Sequence, residues 1–290
     1  MNVDVCLDTY IDSMRETRAI TTVETYRIRL DVWKRLLQSR HMEDISRGEV
    51  QNCIEKMNRK YAAKTVQSNV DIFKAVCKRA YEDGIIVKNP CIDLKVPLAE
   101  RHQPILLGRD QLKLLYDDAP QDLKLPIAIA IDTGIRRCQI LALSWKDIDF
   151  EEHTILVDKS VVSSKNHVFT KGKEKASRIV NVSRKLTELL YAVKNKREDI
   201  GMPVSNTDYV CLTAMGKPFE RDYFSKRFRK FVSSDDNFSN ELRFHDIRWS
   251  YINNRIADGV DPRTVANEVG HSSALYTLDY YCKFYDRKAA

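Results

Sequence analysis

Apolar residues recur every three or four positions through the first third of this 290-residue chain, the spacing that buries one face of a helix. Val5, Tyr10, Ile11 and Met14 mark a first helix, and Tyr26, Ile28, Leu30, Trp33, Leu36 and Leu37 mark a second. Thr21, Thr22 and the following Glu24 offer an N-cap region for that second helix. Ser46 caps a third that runs through Val50, Ile54 and Met57. A fourth, over 63–82, carries Val66, Val70, Ile72, Phe73, Val76, Cys77 and Ala80 and is stopped by Asp83-Gly84. The stretch 96–108, VPLAERHQPILLG, holds two prolines and no helical period, so it reads as a linker. The helical period returns at Arg109-Asp110 with Leu112, Leu114 and Leu115, and an apolar helix over 125–132 ends at Thr133-Gly134. Residues 148–150 and 154–157 then read as short strands, and 167–169 with 178–182 as the arms of a hairpin turning through TKGKEKAS. From Arg184 onward the pattern is of helices with short loops. The expectation is a mainly α chain with a small antiparallel β-sheet, divided into a helical domain (1–97), a linker (98–108) and a second domain (109–290).

Composition narrows the class. With 43% hydrophobic residues the chain can build real cores. No apolar run approaches the ~20 residues of a membrane span, and MNVDVCLDTYIDSM carries acids where a signal peptide needs an apolar stretch. Seven cysteines lie scattered, with an odd total and no C-x-x-C pair, which argues for reduced thiols rather than a disulfide framework or zinc knuckle. The expected compartment is the cytoplasm, nucleoid-associated in a bacterium, or a nucleus if the host has one. Lys plus Arg exceed Asp plus Glu by 48 to 41, a net charge of +7 that tolerates a polyanionic partner without demanding one.

The candidate chemistry lies in dispersed motifs. Gly134 allows a tight turn, and Arg136 just beyond it starts a helix anchored by Ile140, Leu141 and Leu143. FHDIRWS places His245 one helical turn from Arg248, GHSS places His271 after Gly270, and TLDYY closes the segment with Tyr280 and Tyr281. Taken singly, these are a surface arginine, satisfied core histidines and packing tyrosines. Taken in order, they are what attack on a phosphodiester requires: guanidinium forks for the phosphorane charge, imidazoles for proton or hydrogen-bond transfer, and a tyrosine nucleophile.

Those motifs resemble the tyrosine recombinases, or phage-type integrases, whose catalytic domain carries Arg, Lys, His-x-x-Arg, His or Trp, and Tyr in that order. TGIR, the lysine-rich hairpin, HDIR, GHSS and the terminal tyrosines carry the resemblance. TVETYRIRLDVWKRLL, KTVQSNVDIFKAVCKRAYEDGII and KNPCIDLKVP are similar to the family's core-binding domain. The resemblance implies a SAM-like core-binding domain ahead of a catalytic domain, and a site-specific recombinase acting through a 3′-phosphotyrosyl link. It implies Arg136 and Arg248 as the phosphate clamp, His245 and His271 as phosphate or proton partners, and a hairpin lysine as general acid. Lys173 has the usual spacing, while Lys171 before Gly172 matches another form. Tyr281 fits the family form T-L-D-x-Y and shares a helical face with Ala274 and Leu278; Tyr280 fits a shorter spacing. Tyr276 and Tyr285 read as packing residues, and Lys175 and Arg178 as backbone contacts or solvated charges.

Departures from the family pattern are Gln139 for a common acid, Asn181 for a proline, Trp249 for a frequent His and Lys283 for a His after the nucleophile. The implied partners are double-stranded DNA core sites, three further copies in a homotetramer, and accessory directionality proteins. No metal or nucleotide cofactor is implied, and no carboxylate cluster supports a metal nuclease. No arm-site domain is read ahead of the four helices. A Xer-like dimer resolvase and a DNA-binding regulator that has lost cleavage are the rival readings.

Overall fold

The computed structural model describes residues 1–38, 40–100, 103–161, 169–171, 177–271 and 273, the stretch 169–171 by its backbone alone. Lys173, Lys175, Tyr276, Tyr280, Tyr281, Lys283 and Tyr285 lie outside the described residues. The chain divides into two compact units, Met1–His102 and Gln103–Ala290.

In the first unit, α1 (Val3–Met14), α2 (Ile20–Leu36), α3 (Arg47–Asn58) and α4 (Ala63–Glu82) enclose one core. At its centre Trp33 stacks on Phe73 with centroids 4.0 Å apart, and its indole N–H donates to Asn69 O at 3.0 Å. The ring thus buries its area and still satisfies its polar edge. Ser46 caps α3 in a reciprocal box: Glu49 N donates to Ser46 Oγ at 3.2 Å while Ser46 N donates to Glu49 Oε2 at 3.0 Å. The second helix departs from expectation. Ala19, not a threonine, holds its N-cap position, and Thr21 and Thr22 lie inside α2. The Thr21 carbonyl accepts from Thr25 Oγ1 one turn on, as a residue inside the helix does. Downstream, Gln51 exchanges two hydrogen bonds with the Lys95 backbone, and Gln67 Nε2 donates to Pro97 O, which fixes the chain as it leaves the unit.

The second unit contains α5 (Arg109–Asp117), α6 (Gln121–Thr133), α7 (Arg137–Ile140), α8 (Arg184–Asp199), α9 (Arg221–Ser233), α10 (Phe244–Ala257) and α11 (Pro262–Val269). Its strands are β1 (Ile148–Asp149), β2 (Thr154–Val157), β3 (Lys159–Val161), β4 (Phe169–Lys171) and β5 (Arg178–Asn181). The architecture is mainly helical with a three-stranded antiparallel sheet ordered β1-β2-β5, beside a β3-β4 pair. The expected hairpin partners are corrected: β5 pairs with β2, setting Ile155 against Val180, and β4 pairs with β3, setting Lys159 against Lys171. Buried Ile155, Val157 and Val180 favour that register because it turns all three into the core. The helix expected after Arg136 is a single turn that ends before Leu141. Nor are all later loops short, since 200–220 separates α8 from α9 and makes bridges Ser144↔Tyr209 and Leu212↔Pro218. An edge-to-face set of Phe219, Phe224, Phe228 and Phe244 joins α9 to α10, the helix that carries HDIR. The Leu107 backbone is held by α10 as well, donating to Ser250 Oγ at 2.9 Å.

Candidate active site: an arginine cluster on a helix end

The C-terminus of α11 organises the site. Gly270 ends the helix at φ 72°, and His271 N donates back to Ala266 O at 2.8 Å, the closure that a left-handed glycine makes possible. Carbonyls in the last turn of a helix lack intrahelical donors and concentrate the negative end of its dipole. Here guanidinium groups take them. Arg178 donates from Nε to Glu268 O at 3.0 Å and from Nη2 to Val269 O at 3.1 Å. Arg248 Nη1 donates to Val269 O and to Gly134 O, both at 2.8 Å. Arg136 Nη2 donates to Gly270 O at 2.9 Å.

Each arginine is delivered by a different element. Arg136 occupies the extended N-cap position of α7, where its backbone N–H donates to Gln139 Oε1 at 3.2 Å. Gln139 therefore supports the first arginine through a neutral amide. Just before it, Gly134 ends α6 at φ 60°, and a Cβ there would lie 2.8 Å from Tyr251 Cγ. The TGIR turn needs glycine on both counts. Arg248 lies one turn along α10 from His245 and is only 2% exposed, whereas Arg136 is half-buried. Two further cations, Arg178 and Arg137, belong to the cluster although the motifs did not single them out. Strand parity gave a signal for Arg178, since in Arg178-Ile179-Val180 it shares the inward face with buried Val180. Arg137 donates to Ser225 Oγ, a bond between α7 and α9 that no local spacing announces.

Trp249 stands between the two imidazoles. Its ring centroid is 5.9 Å from that of His245, nearly perpendicular, and 6.0 Å from that of His271. Burial and the charges of Arg248, Arg136 and Arg137 lower His245 to about 4. Burial, then Arg248, Arg136, His245 and Arg178, lower His271 to about 4 as well. His245 keeps solvent-exposed surface, so water tempers its shift, but the direction is the same for both. Both rings are therefore neutral at pH 7, each with one nitrogen to donate and one to accept. Burial and then the like charge of Arg136 push Arg178 down to about 10.

Of the expected site residues, Arg136, His245, Arg248 and His271 come together. Lys173, Tyr280 and Tyr281 lie outside the described residues, and Lys171 is described only as the backbone partner of Lys159. Lys159 itself is committed elsewhere, its ammonium 2.6 Å from Asp147 Oδ2 and donating to Ser144 Oγ at 2.8 Å. Among the described residues no group of three His, Cys, Asp or Glu could hold a metal ion. A groove of about 460 Å³ lined by Leu112, Tyr116, Ile131, Leu186 and Tyr251 includes none of the clustered arginines or histidines.

A mainly helical chain whose second unit gathers the Arg, His-x-x-Arg and His motifs around one helix end belongs to the phage integrase family. That family matches residues 106–287, and the phage integrase SAM-like domain matches residues 5–96. The chain is 30% identical over 234 residues to the ICEBs1 integrase of Bacillus subtilis, covering 78% of this chain and 63% of that protein. It is 22% identical to a tyrosine recombinase XerC-like protein of Caldanaerobacter subterraneus, over 76% of this chain and 62% of that one. The chain thus spans slightly under two thirds of the length of these two relatives. In fold it is similar to the Tn1549 transposon integrase in complex with a circular intermediate DNA, with a TM-score of 0.80, 17% identity and full coverage of both chains. It is also similar in fold to a lambda integrase tetramer bound to a Holliday junction, with a TM-score of 0.70 and 18% identity over 94% of this chain and 78% of that one. Among the described residues no helix is long and apolar enough to cross a membrane.

Proposed function

We propose that this chain is a site-specific DNA recombinase that integrates or excises a mobile element through a 3′-phosphotyrosyl intermediate. The observation that carries the reading is the convergence of Arg136, Arg178 and Arg248 with two neutral histidines on one helix end. A phosphodiester is the partner that would offset such a charge. The ICEBs1 and Tn1549 integrases among its relatives support a mobile-element role.

In this reading Tyr281 attacks phosphorus, with Tyr280 as the alternative nucleophile. The Tyr–O–P bond forms as the bond to the 5′ oxygen breaks. His245, neutral at pH 7, accepts the tyrosine proton, and His271 donates to a nonbridging oxygen. Arg136 and Arg248 donate to the nonbridging oxygens, whose negative charge grows in the transition state. At 2% exposure, Arg248 meets phosphate only after its surroundings give way, so DNA entry must uncover it. Lys173, or Lys171, protonates the leaving 5′ oxygen. The 5′-hydroxyl of a second duplex then reverses the step, so phosphodiester energy is kept in the covalent link and no nucleotide is consumed.

The first domain, 1–97, would bind core-site DNA, joined by 98–108 to a catalytic domain over 109–290. Surface Lys and Arg would neutralise phosphates while a few side chains read bases. Two duplexes imply a homotetramer, with directionality set by accessory proteins, in the cytoplasm and on the nucleoid of a bacterial host. The test is strand exchange between two site-bearing duplexes in EDTA without nucleotide. Recombinant joints are expected; their absence from a preparation that binds the site would refute exchange.

A further inference from the structure

We infer that Arg178 is a positioning residue of this site, a forked clamp that fixes the 268–270 backbone on which Arg136, Arg248 and His271 depend. The inference rests on the recombinase reading and adds to it a residue outside the expected clamp. Arg178 opens β5 opposite Val157, and its side chain crosses to the end of α11, 90 residues away in sequence. Two aligned donors, Nε and Nη2, bind consecutive carbonyls at 3.0 and 3.1 Å, which a single ammonium point charge cannot copy. A longer contact from Nη2 to Gln139 Oε1, 3.4 Å, reaches the amide that supports the Arg136 backbone.

The contact is tight on its far side as well. A Cβ on Gly270 would sit 2.6 Å from Arg178 Nη1 and 2.8 Å from Cζ, so the guanidinium lies against the α-carbon directly before His271. Gly270 is thereby fixed twice, by its φ of +72° and by this approach. Val269 O is shared by Arg178 and Arg248, and the next carbonyl, Gly270 O, is held by Arg136. Losing the fork would free the peptide that both clamp arginines use as their rest position and would turn the His271 that follows it.

Stability alone accounts poorly for the arrangement. Among the described residues every hydrogen-bond acceptor of Arg178 is a carbonyl or amide oxygen, and its neighbour Arg136 carries the same charge. A half-buried cation of this kind costs folding energy that a neutral cap would not. The cost makes sense where the surrounding charge must be aimed at an incoming anion.

The test uses the full chain with Arg178→Met and Arg178→Lys. Single-turnover adduct formation is followed on saturating nicked site duplex, alongside DNA affinity, thermal melting and NMR titration of His271. Misplacement by about 1 Å can cost on the order of 100-fold in rate. The expected result is a fall of about 10- to 100-fold in both variants with DNA affinity within about threefold, and an upward move of the His271 titration in Arg178→Met. Rescue by Arg178→Lys would show that charge alone matters and would overturn the positioning role. A lowered melting point with the wild-type rate per folded molecule and an unmoved His271 titration would reduce Arg178 to a structural cap. If the wild type itself forms no adduct, the recombinase reading fails first and takes this inference with it.

Discussion

Replacing Gly134 by alanine tests the geometry that brings the TGIR turn to the arginine cluster. At φ 60° an L-residue costs about 1–2 kcal/mol in the left-handed region. The new methyl would also run into the Tyr251 ring, with Cγ 2.8 Å away, and overpacking of a closed site costs about 1–3 kcal/mol. Tyr251 has little freedom to yield. Its hydroxyl donates to Glu268 Oε2 at 2.8 Å, and Arg255 holds the same carboxylate at 2.6 Å. The sum is a destabilisation of about 2–5 kcal/mol in the second unit. Denaturant titration in a Trp33→Phe background reads that unit alone, because the remaining tryptophans, Trp145 and Trp249, both lie within it. Tyr251→Ala removes the obstacle, so the double variant should be more stable than the sum of the singles by about 1–3 kcal/mol. A Gly134→Ala protein within about 0.5 kcal/mol of wild type, or strict additivity with Tyr251→Ala, would refute the packing argument.

The histidines predict a pH dependence of stability in the DNA-free protein. Their folded values near 4 lie below the unfolded 6.5, so between those values the unfolded chain binds more protons. The stability due to neutral His245 and His271 is complete above about pH 6.5 and lost as the pH falls through about 4. Urea midpoints from pH 7 to 4 should fall less steeply in the His245→Gln, His271→Gln double variant, and identical slopes would contradict the shifts. The Lys159–Asp147 pair predicts a stability effect without a direct catalytic one. Asp147→Ala strands a largely buried ammonium and should cost about 3–5 kcal/mol, measured by denaturant titration; a loss below about 1 kcal/mol would show the pair to be dispensable.

Local signals in the sequence were read well where one element decides the outcome. The α4 bounds follow from its apolar stripe and Gly84, and the α3 start follows from the Ser46–Glu49 box. Gly134 was legible as a turn position, and the TGIR, HDIR and GHSS motifs marked four members of the cluster. Interactions between distant elements were not legible. Strand pairing depended on which partner lets Ile155, Val157 and Val180 bury together, and Arg178 finds its acceptors 90 residues downstream. The near-complete burial of Arg248 and the neutral state of both histidines, set by burial and then by arginine charges from the start of α7, from β5 and from α10, depend on elements far apart in the chain. Thr21 and Thr22 misled because a cap needs a particular backbone turn, and the chain makes that turn at Ala19.

The most direct test of tyrosine-mediated strand transfer is adduct trapping on a duplex nicked beside the cleavage point. The site would come from the element's ends or from selection on random duplexes. Wild type, Tyr281→Phe and Tyr280→Phe are compared on a denaturing gel. A denaturation-resistant protein–DNA band is expected from wild type and Tyr280→Phe and absent from Tyr281→Phe. Loss in Tyr280→Phe alone would move the nucleophile by one residue. Tight binding with no covalent band from wild type would contradict the central claim and leave a DNA-binding regulator built on a recombinase fold.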